Sequence, residues 1–254
     1  MLPGVRLHLG ALAPPAGEAT ELAVAQALLR QAAETGGAAV RLRRPAGPSV
    51  VFGRRDTRLP GFPAAVRAAR AHGFVPLVRA TGGRAVAYDH AALVVDHVAA
   101  DPEPQGGHDR RFREFGARLA SVFRGLGVDA RVGAVPGEYC PGAFSVNARG
   151  TAKLVGTSQR ITKNAWLFSS LIILGGEERL RPVLAEVYAG LGQPFDPASA
   201  GSLAGEVPAL DAGTVEQAIL AGYQADGDLS LQPLGEEVTA LARDLSGQYQ
   251  AAGG

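Results

Sequence analysis

The chain has one cysteine, Cys140, and that scarcity excludes an internal disulfide, so the fold does not depend on an oxidising compartment. Lysine is nearly as rare: of 25 basic residues only Lys153 and Lys163 are not arginine. Arginine replaces lysine well as a surface charge, but it cannot give up its proton or act as a compact point donor. A lysine kept in such a chain is therefore a candidate for chemistry that arginine cannot supply. No sign of charge dominates, since the net charge is +1, which argues against a nucleic-acid or membrane binder. Long apolar runs are also lacking. The longest, Ala165 to Leu174, is interrupted by Ser169 and Ser170, and a bilayer span needs ~20 residues. Met1 to Leu12 lacks the basic region, apolar run and cleavage site of a signal peptide. These absences lead to the expectation of a soluble, cytoplasmic protein.

What is present suits a globular core. Hydrophobic residues make up 46 % of 254, which is read as one domain over 1–254. Val5 to Leu9, Ala39 to Leu42, Ser49 to Gly53, Phe74 to Ala80 and Ala85 to Tyr88 read as short strands. Ala92 to Ala99 is almost continuously apolar and is expected to be buried on both faces. Glu18 to Ala33 and Pro63 to Ala71 read as helices, each closed by glycine. Asp109 to Leu126 carries Phe112, Phe115, Leu119, Val122, Phe123 and Leu126 at helical spacing. Strands are expected over Asp129 to Val135, Phe144 to Asn147, Ala152 to Ile161 and Trp166 to Leu174. Beyond Gly176 the pattern turns helical, so 177–254 is read as a helical C-terminal portion. The expected fold class is α+β, a mixed or antiparallel sheet flanked by helices, with strands central and helices towards the ends.

Three places carry candidate chemistry. Cys140 lies in Pro136-Gly-Glu-Tyr-Cys140-Pro-Gly142, punctuated on both sides, and a scaffolded loop is where reactive groups are usually placed. A free cysteine is otherwise most often packing. Lys153 begins an apolar segment running to Gly156, Thr157 and Arg160. It is either a strand-end lysine facing water or a cation aimed at a pocket, where it would stabilise negative charge. Arg79-Ala-Thr81-Gly82-Gly83-Arg84 is a hairpin turn, or a cradle whose N–H groups and guanidinium donors hold a carboxylate or phosphate. It is not a P-loop. The five histidines have no ligand-spaced partners, so no metal site is expected. Gly-x-Ser-x-Gly is missing.

Together these segments resemble the superfamily of biotin and lipoate protein ligases and octanoyltransferases. Arg79-Ala-Thr-Gly-Gly-Arg84-Ala-Val-Ala-Tyr-Asp89 resembles the Arg-Arg-x-Gly-Gly-Gly-x-Val-x-His-Asp signature of lipoate ligases. The Cys140 loop followed by Lys153-Leu-Val-Gly-Thr-Ser-Gln-Arg160 resembles the octanoyltransferase branch, and Val51-Phe-Gly-Arg-Arg55 a strand end of the family. The branch it looks closest to moves octanoyl groups between the glycine cleavage H protein and other lipoyl domains. The resemblance implies a catalytic domain like that of class II aminoacyl-tRNA synthetases, with an acyl tunnel beside the Gly-Gly turn. It implies Cys140 and Lys153 as the catalytic pair, the first carrying the acyl group as a thioester and the second contacting its carbonyl. Substrate would be bound by Arg79, Thr81, Gly82, Gly83, Arg84, Gly156 and Thr157. It implies lipoyl domains, the H protein or acyl carrier protein as partners, without a cofactor; a monomer is expected because it suits a protein that must dock a folded carrier domain. Arg84 stands where the ligase signature has its third glycine, and the asparagine expected after Asp89 is missing. Both departures favour acyl transfer over ATP-driven activation. The alternatives are an ATP- and Mg²⁺-dependent lipoate ligase and a non-catalytic acyl- or lipoyl-domain-binding protein.

Overall fold

The computed structural model describes residues 4–251. In chain order its elements are β1 (Val5–Leu9), α1 (Glu18–Thr35), β2 (Ala38–Arg43), β3 (Ser49–Phe52), α2 (Phe62–Ala71), β4 (Val75–Val78), β5 (Val86–Tyr88), β6 (Ala92–Ala100) and α3 (His108–Gly125). There follow β7 (Ala130–Val132), β8 (Val146–Ala148), β9 (Ala152–Ile161), β10 (Ala165–Ile173), α4 (Glu177–Leu191), α5 (Leu203–Glu206), α6 (Ala212–Gln224), β11 (Leu229–Leu231) and α7 (Glu236–Leu245). They form an eight-stranded sheet in the order β11-β1-β2-β6-β10-β9-β8-β7 and a three-stranded sheet in the order β4-β3-β5.

The apolar run of β6 explains the architecture. Its side chains alternate between two cores: Ala92, Val94 and Val98 face one, and Leu93, Val95 and Ala99 face the other. A strand inside a covered sheet must be apolar on both sides. One core lies between the large sheet, α1, the small sheet, α2, α4 and α7. The other lies under α3 and α6, and the whole predicted stripe of α3 packs into it.

The α+β class stands, but the helices are not segregated to the ends. β1 pairs with β2 in parallel, and β3 with β4. A parallel pair needs a crossover, which α1 and α2 provide. The C-terminal stretch is not wholly helical either, because β11 adds an edge strand beside β1. The strand expected to reach Val135 ends at Val132, where Gly133 follows. Among the described residues no helix is long and apolar enough to cross a membrane.

His97 sits inside the second core, with ring centroids of Phe115, Trp166 and Tyr223 at 5.1, 5.0 and 5.6 Å and neither ring nitrogen hydrogen-bonded. Burial, helped by the charge of Arg118, pushes its pKa down to about 3 from 6.5. Below pH 6.5 the unfolded chain takes up a proton on this ring that the folded chain refuses. The contribution of His97 is therefore complete above that pH and is lost as the pH falls towards 3, by about 1.4 kcal/mol per unit. In urea titrations between pH 4 and 7, His97→Leu should show a shallower loss of stability on acidification than wild type. Equal slopes would contradict this placement.

Candidate active site

The turn after β4 is built by one buried arginine. Arg79 donates to the carbonyls of Gly82 (2.9 Å), Val51 (3.0 Å) and Arg84 (2.7 Å). With three carbonyls fixed on one planar fork, the turn has little freedom. Thr81 Oγ1 accepts from Ser158 Oγ at 2.9 Å, and Gly82 N–H donates to the carbonyl of Gln159 at 3.2 Å, so the turn is tied to β9. Gly53 presses against it: a side-chain Cβ there would lie 1.9 Å from the Gly83 carbonyl oxygen. Asp56, fully buried, accepts from Gly53 N–H at 2.9 Å and meets the Arg84 guanidinium at 3.4 Å. Burial holds the Asp56 carboxyl above the usual range, and Gly53 N–H, Arg79 and Arg84 act in the opposite sense.

The Cys140 loop rests on this turn. Arg84 N–H donates to Cys140 Sγ at 3.1 Å, and a guanidinium nitrogen of Arg79 lies 3.8 Å from the same sulfur. Gly83, at φ 97°, leaves room for the thiol, since a Cβ there would stand 2.8 Å from Sγ and 2.6 Å from Arg79 Nη2. Gly83→Ala should therefore cost about 1–3 kcal/mol in stability and displace the sulfur. Any reaction of Cys140 with iodoacetamide should change by roughly tenfold or more; an unchanged rate would show that the contact does not position the thiol.

Cys140 itself has φ 45°, the left-handed region a non-glycine residue avoids. Its N–H donates to Tyr188 Oη at 2.6 Å, and that hydroxyl donates to the Ala85 carbonyl at 2.9 Å. Burial, with Cys140 beside it, pushes the Tyr188 pKa up, so the phenol keeps the proton this relay needs. Gly137, at φ 73°, brings the loop against Asp196, where a Cβ would stand 2.6 Å from that of Asp196.

Lys153 is buried beneath the loop. Its ammonium donates to the carbonyls of Tyr139 (2.9 Å) and Cys140 (2.8 Å) and pairs with Glu138 Oε2 at 2.8 Å. All three protons are thus engaged by the loop. Glu138 is held in turn by Ser145 Oγ (2.6 Å), Val135 N–H (3.1 Å) and Gly142 N–H (3.3 Å).

Two hollows meet at Cys140. An inner pocket runs between α1, the small sheet and the large sheet, walled by Leu22, Val51, Val86, Val94, Leu167 and Leu171. An outer cleft is bordered by Arg54, Arg55, His108, Phe112, Phe144 and Lys153. Cys140, Ala80, Thr81, Thr157 and Ser158 border both. Of the residues expected at the site, Arg79 and Gly156 line the inner pocket and Gly82 and Gly83 the outer cleft. Arg84 contributes its backbone N–H, while its side chain turns to Asp56. Asp56, Glu138 and Tyr188 were not anticipated. Glu138 had a signal: it is a carboxylate in the cysteine loop of a chain with two lysines. Tyr188 had none, being 48 positions away on α4.

Residues 18–223 match the model of the lipoyl protein ligase A/B catalytic domain. The chain belongs to that family. Curated relatives include octanoyl-[GcvH]:protein N-octanoyltransferases of Geobacillus kaustophilus, 26 % identical over 145 residues, and Exiguobacterium sibiricum, 32 % identical over 143 residues. The first alignment covers 57 % of this chain and 51 % of the relative, the second 55 % and 50 %. The chain thus spans about half the length of the curated relatives it matches. Among solved structures, a lipoate-protein ligase A bound with ATP superposes with a TM-score of 0.78 at 20 % identity, over 96 % of this chain and 95 % of that one. The bipartite lipoate protein ligase of Thermoplasma acidophilum gives 0.73 at 20 % identity, over 96 % and 92 %. These likenesses establish the family's fold.

Proposed function

We propose that this family member transfers an octanoyl-type acyl group through a Cys140 thioester to the lysine of a lipoyl domain. The observation that carries the reading is the position of the thiol. It stands where a largely apolar pocket meets a second, larger cleft, with an N–H and a guanidinium directed at the sulfur. The relatives in G. kaustophilus and E. sibiricum, by name, act on octanoyl-[GcvH].

The inner pocket takes the acyl chain, each buried methylene contributing about 0.8 kcal/mol. The sulfur attacks the acyl carbonyl of the donor; a C–S bond forms, and the carrier leaves with the proton the thiol has lost. The amine of the acceptor lysine, coming through the outer cleft, then attacks the thioester. The C–N bond forms, Cys140 leaves as thiolate, and the amine gives up a proton. Splitting one amide exchange into two thioester steps lowers each barrier. ATP has no part in either step. Arg79 and Gly83 position the sulfur, and the Arg84 N–H stabilises its negative charge. Lys153 holds the loop that presents Cys140.

The test is intact-mass analysis after incubation with octanoyl-acyl carrier protein or octanoylated H protein. Wild type should gain one octanoyl group that hydroxylamine removes, and Cys140→Ala should gain none. Absence of the adduct, together with lipoyl-domain modification only when ATP and free octanoate are supplied, would replace this reading with an ATP-dependent ligase.

A further inference from the structure

The acceptor in the proposed transfer is a lysine amine. It is protonated at neutral pH and has no lone pair to attack with until it loses that proton. The outer cleft offers few groups to take it. Among the described residues, Arg54, Arg55, His108, Asp109, Cys140 and Lys153 are the titratable groups that border it. A guanidinium has no acceptor, and Cys140 is acylated at that stage. Lys153 spends its three ammonium protons on Glu138 and the carbonyls of Tyr139 and Cys140. That leaves His108 and Asp109, both exposed, side by side at the start of α3. Of the two, an imidazole is the group that exchanges its proton near neutral pH. His108 Nδ1 stands 2.8 Å from Asp109 Oδ1. A carboxylate only accepts, so this bond keeps the ring proton on Nδ1 and leaves Nε2 as the acceptor. The ring lies edge-on to Phe112 at 5.1 Å, and Phe112 stacks at 5.6 Å on Phe144 of the segment that follows Cys140. The Gln159 side-chain amide donates to the His108 carbonyl at 2.8 Å, while the Gln159 carbonyl accepts from Gly82 N–H. His108 is thereby joined on one side to the cysteine segment and on the other to the Gly82-Gly83 turn.

We propose that His108, oriented by Asp109, is the general base that takes the proton from the acceptor lysine as it enters the outer cleft. This rests on the thioester reading of Cys140. The ammonium passes one proton to Nε2, and His108 becomes an imidazolium whose charge the Asp109 carboxylate offsets. The freed amine attacks the thioester carbonyl; the C–N bond forms and the C–S bond breaks. Cys140 leaves as thiolate, the second amine proton goes to water, and His108 returns its own to solvent. When the donor carries its acyl group on a lysine amide, the same steps run in reverse, and the imidazolium protonates the departing amine. A thioester or activated-ester donor needs no such help, because its leaving group departs as an anion.

The test separates a charged amine from an uncharged one. Wild type and His108→Gln are acylated with p-nitrophenyl octanoate and freed of reagent. Each is then followed by intact mass with unmodified lipoyl domain at saturation, or with hydroxylamine, which is uncharged at pH 7. Both enzymes should load alike and should lose the group to hydroxylamine alike. With the lipoyl domain, His108→Gln should transfer about a hundredfold more slowly at pH 7. The gap should close to within a few-fold near pH 10, where the lysine sheds its proton unaided. Equal transfer by the two enzymes at pH 7 would overturn the proposal. So would a gap that persists near pH 10, or equal slowing with hydroxylamine, since either would make His108 only a part of the cleft wall. No octanoyl group on Cys140, or none passed on by wild type, would defeat the thioester reading itself, and the base would fall with it.

Discussion

Cys140→Ser should lower acyl transfer about a thousandfold or more while leaving the fold unchanged. A serine hydroxyl needs a neighbouring base to take its proton. Here both groups bonded to the sulfur are donors, the Arg84 N–H and the Arg79 guanidinium. They assist a thiolate and do nothing to activate an alcohol. Cys140→Gly should be equally inactive but more stable than wild type, by about 1 kcal/mol, because the residue sits at φ 45°. A backbone held in this region by Tyr188 and Lys153 suits strain stored for function. Residual transfer above a tenth of wild type in the serine variant would remove Cys140 from the reaction.

Lys153→Met should destabilise the protein by about 3–5 kcal/mol, because it leaves Glu138 buried without its counter-ion and frees the carbonyls of Tyr139 and Cys140. Lys153→Arg should not restore stability. The three acceptors converge on one compact ammonium, and a planar guanidinium cannot meet them from the same point. In a double-mutant cycle with Glu138→Gln the two positions should couple by about 1–3 kcal/mol in urea unfolding. A lysine that only touched the acyl carbonyl would behave otherwise: its loss would lower kcat with the urea midpoint unmoved. The presence of a lysine at position 153, in a chain so poor in lysine, thus has a structural reason: three acceptors converge on one compact ammonium.

What the sequence revealed, and what it concealed, follows from the range of each interaction. β6 was legible because burial on both faces leaves a continuous apolar run, and α3 because its stripe keeps one period. The cysteine loop was legible through its flanking Pro-Gly pairs, and Gly82-Gly83 as a turn. The reason Gly83 must be glycine was not legible, because it depends on a sulfur 57 positions away in the chain. Arg84 was singled out in a turn where N–H groups and guanidinium donors were both candidates; its N–H makes the contact with the sulfur, and its side chain turns to Asp56. Lys153 was read beside the thiol and as a contact of the acyl carbonyl; its ammonium is bonded to the loop's carbonyls and Glu138. β11 escaped because three residues at an edge, with Leu231 exposed, carry no period to detect.

The most direct test of the account is a single turnover. Octanoyl-enzyme, freed of donor by gel filtration, is mixed with an excess of unmodified lipoyl domain without ATP, and both proteins are weighed over time. The account predicts that the octanoyl mass leaves Cys140 and appears on the domain at the same rate, one for one. An adduct that stays on the enzyme, or is released only to water, would contradict it.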